Sequence, residues 1–401
     1  MASLPIPGRP AAQALSQQLT QLIQQKIKNA GGWISFAEFM QMALYTPGFG
    51  YYAGGAKKFG LGGDFVTAPE ISPLFAQTIA AQYVQLQALW VLACATSEKD
   101  DIKLKQYSIL ELGAGTGQLA VNLLIELEYL NALPAHYYIL EVSAHLQQVQ
   151  RETCQTELSQ QLYEKLVWLN QLPKSFDGLV LANEVLDAIP AHIVHKTASG
   201  WCERGVTFKL DFEWQDADFS QPSLAKYLAA HLPDDLPIGY MTEANPAACA
   251  LVCSLGEMLE TGAILLIDYG FSAAEYYHPQ RNLGTLMCHY QQLAHDNPLV
   301  NIGLQDITAH VDFTSISMLC EPISMSLAGY VSQEQFLINC GILNILQRYS
   351  PEDVEYMKLA ATAQKLLSPA EMGELFKVIC LTKNMHEPLI GFMQGDKAHT
   401  L

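Results

Sequence analysis

The middle of the chain alternates apolar runs with longer amphipathic stretches, and four of the apolar runs predict β-strands. These strands are expected at 108–112, 137–141, 178–182 and 262–270. Each run ends in, or leads directly into, an acidic or amide side chain, and helical patterns separate the runs. This order is typical of a parallel sheet whose ligands bind along the edge formed by the carboxyl ends of its strands. The pattern therefore predicts an α/β fold built on a parallel sheet.

Amphipathic patterns before and after this region predict further helices. One of them opens at Ser35 with a capping-box pattern completed by Glu38. The predicted helices cover 11–29, 35–44, 71–95, 247–259, 307–319 and 332–349, and further strands are expected in a hairpin at 192–195 and 201–208 and in a closing strand at 375–382. We expect an N-terminal helical and loop extension (1–95), a sheet core (96–275) with an insertion at about 191–246, and a C-terminal part with helices and the closing strand (276–401).

Three glycines follow the first predicted strand and precede the helix that starts at Gln118: Gly113, Gly115 and Gly117. Glycines in such a turn let a ligand approach backbone N–H groups closely. A dinucleotide fingerprint would need its third glycine at position 118, so the spacing suits S-adenosylmethionine, which has no pyrophosphate, better than a dinucleotide. Glycine-rich loops also close ordinary strand-to-helix turns, and that alternative stays open.

Acids and an amide stand at the predicted strand ends. Glu111 ends the first strand, and Glu141, at the end of the second, is placed to accept hydrogen bonds from both ribose hydroxyls of a nucleotide-like cofactor. Alternatively, Glu141 only complements the N-terminus of the next helix. Asn183, Glu184 and Asp187 follow the third strand directly. The sequence therefore predicts that polar groups gather at one edge of the sheet.

Composition narrows the classes of partner. Half of the 401 residues are hydrophobic, and 40 acids against 22 bases give a formal charge of −18. This charge disfavours nucleic acid and attracts a cationic substrate, although acidic surfaces also serve solubility alone. We expect no membrane span and, since the chain starts without a targeting pattern, a cytoplasmic protein.

Cysteine and histidine usage predicts no metal site. The nine cysteines are scattered, which indicates a reducing compartment rather than a disulfide framework. Cys249 and Cys253 lie one helical turn apart with no completing pair, so we interpret them as core residues. His192 and His195 lie three apart in a predicted strand and should point to opposite faces.

Five segments, in this order, resemble the MidA-like family of class I S-adenosylmethionine-dependent methyltransferases: 63–73, 110–117, 141–143, 182–190 and 306–313. The resemblance extends from about 34 to 383. It implies a Rossmann-like, mostly parallel seven-stranded sheet, S-adenosylmethionine as cofactor and an arginine of a partner protein as substrate, since mitochondrial members act as complex I assembly factors by methylating a subunit. Ala114 and Thr116 stand where relatives often have Pro and Arg, a change expected to leave cofactor binding intact.

The candidate site residues fall into two groups. Those expected to bind the cofactor are Asp64, Thr67, Glu70, Glu111, Gly113, Gly115, Gly117, Glu141 and Asn183. Those expected to act on the acceptor are Glu184, Asp187, His310 and Asp312. Carboxylates match the planar fork of a guanidinium, and a histidine accepts a proton near neutral pH.

Each group has a structural alternative. Asp187 is also suited to capping the turn before Pro190, His310 to satisfying a buried carbonyl, and Glu70 to serving a helix N-terminus. Two other functions compete with protein-arginine methylation: a methyltransferase acting on a small metabolite, and an assembly chaperone that keeps the cofactor pocket.

Overall fold

The computed structural model describes residues 10–54, 67–95 and 107–401. Its α-helices are α1 (Pro10–Asn29), α2 (Phe36–Tyr45), α3 (Ala68–Ile71), α4 (Pro73–Ala95), α5 (Gln118–Tyr129), α6 (Ala144–Glu157), α7 (Gln160–Tyr163), α8 (Pro222–His231), α9 (Pro246–Met258), α10 (Ala273–Tyr276), α11 (Phe313–Ser317), α12 (Gln333–Asn339), α13 (Ile342–Leu346) and α14 (Val354–Leu367). Within the described ranges, no helix has both the length and the apolar character needed to cross a membrane.

The strands follow the same order along the chain. They are β1 (Ile34–Ser35), β2 (Ser108–Leu112), β3 (Tyr137–Leu140), β4 (Leu166–Leu169), β5 (Phe176–Asn183), β6 (His192–Thr197), β7 (Gly200–Phe208), β8 (Phe212–Ala217), β9 (Met241–Ala244), β10 (Leu259–Phe271), β11 (Met287–Tyr290), β12 (Leu293–His295), β13 (Asp306–Thr308), β14 (Val311–Asp312), β15 (Ser326–Ser332) and β16 (Phe376–Lys383). Two short 3₁₀ turns, Ile390–Phe392 and Ala398–Thr400, lie near the end.

The chain forms two compact units, each assembled from three segments. The first unit comprises Met1–Phe65, Ala188–Ala247 and Tyr277–Ala309, and the second comprises Val66–Asp187, Ala248–Tyr276 and His310–Leu401. The sequence predicted three consecutive parts instead, at 1–95, 96–275 and 276–401, and these boundaries stay predictions.

Antiparallel sheets build the first unit. Four strands pair in the order β1-β7-β6-β9, and β8 also pairs with β7. A second sheet has the order β12-β11-β13. The predicted hairpin is confirmed, since β6 and β7 pair in register around a tight turn between Thr197 and Gly200. Apolar side chains of α1 and α2, among them Ile23 and Phe39, pack into a core with strand residues such as Val206.

The second unit is organised around a mixed sheet of eight strands. Seven of them follow the order β15-β16-β10-β5-β2-β3-β4, and the short β14 pairs with the end of β10. The strands from β10 to β4 run parallel, whereas β16 is antiparallel to both of its neighbours. This arrangement confirms the seven-stranded, mostly parallel sheet that the family resemblance implied.

The order of the strands places a switch point in the sheet. From β2 the chain proceeds outward to β3 and β4, and it then returns to add β5 and β10 on the other side of β2. Loops at the carboxyl ends of β2 and β5 therefore diverge to opposite faces and leave a crevice between them. In sheets of this kind the crevice is where ligands bind.

Local signals explain where several elements begin. The Ser35 hydroxyl accepts a hydrogen bond from the Glu38 N–H at 3.2 Å, and the Ser143 hydroxyl accepts one from the Leu146 N–H at 3.2 Å. The predicted N-cap at Ser35 is confirmed, and Ser143 caps α6 in the same way. The central strands are apolar because both faces are covered, and Ile109, Leu179 and Leu265 have no exposed surface.

Two predicted helices are wrong in the C-terminal part. The stretch 307–319 contains β13, β14 and only a five-residue helix, α11. The side chain of Asp312 accepts from the N–H groups of Thr314 and Ser315, so the helix begins after this residue rather than before it. The stretch 332–349 is broken into α12 and α13, because Gly341 takes a left-handed φ of 84° between them. The prediction also omitted β4, β15 and α14.

Candidate functional site

The glycine loop joins the carboxyl end of β2 to the start of α5. Gly113, Gly115 and Gly117 all have left-handed backbone conformations, with φ of 59°, 53° and 89°. A Cβ on Gly117 would lie 3.3 Å from both the Gln150 Cα and the Cys154 Sγ, whereas a Cβ on Gly115 would meet nothing within 4 Å among the described residues. Helix packing therefore explains one glycine. The open side at Gly115 leaves room for a ligand against the backbone.

Two buried acids lie beside this loop. Glu111 accepts a hydrogen bond from the Tyr137 hydroxyl at 2.7 Å, and burial raises the pKa of its carboxyl to about 7 despite that bond. Glu141, 7% exposed, accepts from the Ser143 N–H at 2.8 Å and from the Gln150 side-chain amide at 3.0 Å. Burial raises the pKa of the Glu141 carboxyl, and these hydrogen bonds oppose the shift. Both acids thus stand at adjacent strand ends, as predicted.

The segment before α4 reaches the glycine loop through one hydrogen bond. The Thr116 hydroxyl donates to Glu70 Oε1 at 2.7 Å. Thr67 is the residue before α3, where its carbonyl accepts from the Glu70 N–H at 3.0 Å and its side chain makes no capping bond. Asp64, the remaining candidate in this segment, lies outside the described residues. Glu70 is therefore the residue of this segment that the structure places against the glycine loop.

A turn after β5 carries the amide and the two acids predicted for this edge. Asn183 Nδ2 donates to Glu184 Oε1 at 3.2 Å, and Glu184 adopts a left-handed φ of 53°, which is uncommon for a residue with a side chain. Asp187 is 4% exposed. A Cβ on Gly113 would lie 3.1 Å from Val185 Cγ2, so this turn and the glycine loop are in contact. The cofactor and acceptor candidates are therefore neighbours at the switch point.

Asp268, at the end of β10, holds that turn in place. Its Oδ2 accepts from the N–H groups of Val185, Leu186 and Asp187 at 3.2, 2.8 and 3.3 Å, and its Oδ1 accepts from the Tyr269 N–H at 2.9 Å. Burial raises the pKa of the Asp268 carboxyl to about 7, and the four backbone bonds oppose the shift. One buried carboxylate thus fixes the backbone that carries Glu184.

Asp312 ends β14, which pairs with the end of β10, and His310 directly precedes β14. The His310 ring stacks on Phe271, with centroids 5.2 Å apart and planes 7° apart, and it lies 5.9 Å from the Tyr269 ring. Asp312 is directly opposite Phe271 in the register, and its side chain caps α11. The structure therefore places these two residues at the strand next to β5, with Asp312 engaged in a cap and His310 held by aromatic rings.

Two residues of this site were missed by the sequence reasoning. Asp268 was recognised only as the acid that ends its strand, because nothing local indicates that it binds a turn some 80 positions earlier in the chain. Gln150 was not singled out, since a glutamine in an amphipathic helix is usually exposed, whereas this one has no exposed surface and bonds to both Glu141 and the glycine loop. For Gln150 the available signal was its position on the buried face of α6, beside Leu146 and Cys154.

A separate cluster of metal-ligand side chains lies in the first unit. His195, Cys202 and Asp216 each offer an atom within 4.8 Å of the others. Arg204, however, donates to both carboxylate oxygens of Asp216, at 2.7 and 3.2 Å, and His195 Nδ1 lies 2.7 Å from Asp216 Oδ2. A guanidinium at the carboxylate opposes a second cation there, so this cluster is an ion-pair network.

The crevice fits S-adenosylmethionine on three observations. The backbone at Gly115 is open to a ligand, because a side chain there would meet no atom within 4 Å in the part of the chain that the structure describes. The Glu141 carboxylate is a buried acceptor suited to hydroxyl donors. Asn183 Oδ1 is buried and has no hydrogen-bond partner in the described part of the chain, which suits a donor such as an ammonium group. These groups would hold the amino-acid end and the ribose of the cofactor.

The fold and the crevice together define a class I methyltransferase. A family model described as "Putative S-adenosyl-L-methionine-dependent methyltransferase" matches residues 86–331, more than half of the chain. A crystal structure from Burkholderia thailandensis, described as a "likely methyl transferase" bound to S-adenosyl-homocysteine, is 44% identical with a TM-score of 0.91, and each chain is covered completely.

Curated relatives extend the comparison to animals. The mitochondrial protein arginine methyltransferase NDUFAF7 of Mus musculus is 29% identical over 96% of this chain and 89% of its own length. The Homo sapiens protein of the same name is 29% identical over 93% of this chain and 85% of its own. The chain belongs to the MidA-like family, and it is an S-adenosylmethionine-dependent methyltransferase.

Proposed function

We propose that this enzyme methylates an arginine side chain of a partner protein, of the kind represented by a respiratory complex I subunit. The similar curated proteins are named protein arginine methyltransferases, which supports the substrate class. The observation that carries the proposal is the turn after β5, where Glu184 and Asp187 lie next to the glycine loop and are fixed by Asp268. Two carboxylates at the cofactor site suit a cationic acceptor better than a neutral one.

The cofactor supplies an electrophilic methyl group, and the residues of the chain align the acceptor with it. In this proposal Glu184 and Asp187 bind the guanidinium in its planar fork geometry and direct one nitrogen toward the methyl group. Alignment alone accounts for a large part of the rate of an in-line displacement. Glu141 accepts hydrogen bonds from the ribose, Asn183 contacts the amino-acid end, and Glu70 supports the glycine loop through Thr116.

Methylation of a guanidinium also releases a proton. We keep His310 as the candidate acceptor, because its imidazole lies at the strand end next to β5 and histidine exchanges protons near neutral pH. Asp312, whose side chain caps α11, would act by fixing the segment that carries His310. A cytoplasmic location remains a prediction from the sequence.

The test is transfer of a radiolabelled methyl group from S-adenosylmethionine to proteins of a lysate prepared from cells lacking this enzyme. Mass spectrometry of the labelled band should find methylated arginine. We expect Glu184→Gln to lower transfer at least about 100-fold, because the neutral amide no longer matches the guanidinium, while the Kd for S-adenosyl-L-homocysteine changes less than about 3-fold.

Glu257→Gln, an exposed acid on α9, is the matched control and should retain full transfer. Label that appears only in small molecules would contradict the protein substrate. Unchanged transfer in Glu184→Gln would remove this residue from the acceptor site.

A further inference from the structure

Gln150 connects three parts of the cofactor side of the crevice. Its Nε2 donates to the Gly115 carbonyl at 3.1 Å and to Glu141 Oε2 at 3.0 Å, and its Oε1 accepts from the Trp168 indole N–H at 3.1 Å. Gln150 has no exposed surface. A single buried amide therefore joins the glycine loop, the acid at the end of β3 and the strand β4.

The partners of Gln150 determine the orientation of its amide. Both groups at one end, a carbonyl and a carboxylate, only accept hydrogen bonds, while the indole at the other end only donates. If the amide were reversed, its oxygen would face the Gly115 and Glu141 oxygens, and its NH₂ group would face the Trp168 N–H. The side chain thus has one satisfactory arrangement, and this arrangement keeps an N–H directed at Glu141.

Glu141 needs such a partner for its proposed task. Backbone N–H groups of Val142 and Ser143 bond to this carboxylate, the latter at Oε1, and Gln150 is the side chain that donates to Oε2. A carboxylate that must bind hydroxyl groups in a defined geometry loses affinity if it can rotate, and hydrogen bonds to charged groups are the stronger ones. The Gly115 carbonyl is held by the same amide, which places the loop and the acid at a fixed spacing.

We propose that Gln150 is a positioning residue for the cofactor: it orients the Glu141 carboxylate toward the ribose hydroxyls and fixes its spacing from Gly115. This inference rests on the assignment of Glu141 to the ribose under the proposed function. It requires no particular methyl acceptor. Because Gln150 has no exposed surface, its effect on the cofactor is transmitted through Glu141 and the loop.

Calorimetry with S-adenosyl-L-homocysteine and its 2′-deoxy and 3′-deoxy analogues tests the inference. The intact protein should prefer the parent nucleoside about 10- to 100-fold over the weaker analogue, the range expected for a hydrogen bond to a charged group. In Gln150→Met, which keeps the length of the side chain and loses its N–H, this ratio should fall to about 3-fold or less. A merely structural role would lower affinity for all probes equally and leave the ratio unchanged, and that result would overturn the inference.

Gln148→Met is the matched control, because Gln148 lies on the same helix and bonds only to the exposed Glu152 side chain. In Gln148→Met, the preference for S-adenosyl-L-homocysteine over its deoxy analogues should equal that of the intact protein. If the intact protein itself does not discriminate among the three probes, the ribose assignment of Glu141 is wrong and the inference fails with it. An absence of arginine methylation, by contrast, would refute the proposed acceptor and leave this result standing.

Gln150→Glu provides a second test that does not depend on tolerating a buried methionine. It places a carboxyl about 3 Å from Glu141, where two carboxylates cannot both ionise readily and share a proton. Relative to the intact protein, its affinity for S-adenosyl-L-homocysteine should be weakest at pH 8 and should recover as the pH falls to 6, since the protonated carboxyl again donates.

Two charged groups lie near this pair: Glu111 on β2, whose pKa is raised by the charge of Glu141, and Arg151 on α6, which stacks over Trp168. Glu111 also titrates near this range, so the intact protein and Gln150→Glu are compared with Glu111→Gln introduced into both. An affinity ratio that does not change between pH 6 and 8 would contradict the positioning role.

Discussion

The two ends of the crevice are held together in different ways. At the cofactor end, each of the two buried carboxylates accepts a hydrogen bond from another side chain: Glu111 from Tyr137, and Glu141 from Gln150. At the acceptor end, one side chain holds the backbone, because Asp268 accepts the N–H groups of three successive residues of the turn after β5. Both ends lie along the same edge of the sheet.

This difference determines how each end should respond to change. A substitution at the cofactor end leaves part of these contacts in place, so the effects should be graded and should be measured as changes in cofactor affinity. In the acceptor turn, three successive N–H groups bond to one carboxylate, and its loss releases all three at once. Here the effect should be visible as turnover with the cofactor still bound.

The largest expected effect concerns the glycine loop. Gly115→Val should weaken binding of S-adenosyl-L-homocysteine at least about 100-fold in calorimetry, because a β-branched residue is strained at a φ of 53° and its side chain would enter the space left for the ligand. Gly239→Val is the matched control, since Gly239 is also left-handed, at 89°, with no atom near its missing Cβ. Equal affinity in both variants would show that the cofactor does not approach this loop.

A smaller effect, but of another kind, is expected from Asp268→Asn. One of its two accepting oxygens becomes an NH₂ group that cannot accept a backbone N–H, so the turn should shift. Because small misplacements of aligning groups lower rates strongly, we expect kcat to fall about 10- to 100-fold while the cofactor Kd stays within about 3-fold.

Asp396→Asn is the control for this variant. Asp396 also accepts two backbone N–H groups, those of Tyr330 and Ala398, and lies on an exposed segment. It should lose stability without losing turnover. If Asp268→Asn loses cofactor affinity and turnover in parallel, the two ends of the crevice are not separable and the comparison fails.

The last expected effect is a change of stability with pH rather than of binding or turnover. Burial raises the pKa of Glu111 from 4.5 to about 7, so its ionisation destabilises the fold as the pH rises between these values. Glu111→Gln, which cannot ionise and can still accept from Tyr137, should therefore gain stability relative to the intact protein over pH 4.5 to 7, by roughly 3 kcal/mol, and no more above pH 7. Urea unfolding at several pH values measures this difference, and a difference that shrinks as the pH rises has the wrong sign. Asp268 is present in both proteins, so its contribution to the pH dependence cancels in the difference.

Much of the cofactor end could be predicted because it is encoded locally. The glycine spacing and the acid at the end of β3 both lie within a few residues of the elements they serve. The acceptor turn was predicted from Glu184 and Asp187 alone, without Asp268, because hydrogen bonds between distant strands leave no mark in the local pattern. Short elements were missed for the same reason. Of the four residues of β4 only Leu166 is buried, so the place of β4 in the sheet is set by its pairing with β3.

The left-handed backbone at Glu184 has one more consequence. A residue with a side chain at that conformation costs the fold roughly 1 kcal/mol relative to glycine. Directed evolution for heat resistance alone would be expected to replace Glu184 with glycine. Under the proposed function, the resulting proteins would be more stable but inactive as methyltransferases. The tolerance of this position to glycine thus separates what the scaffold requires from what the reaction requires.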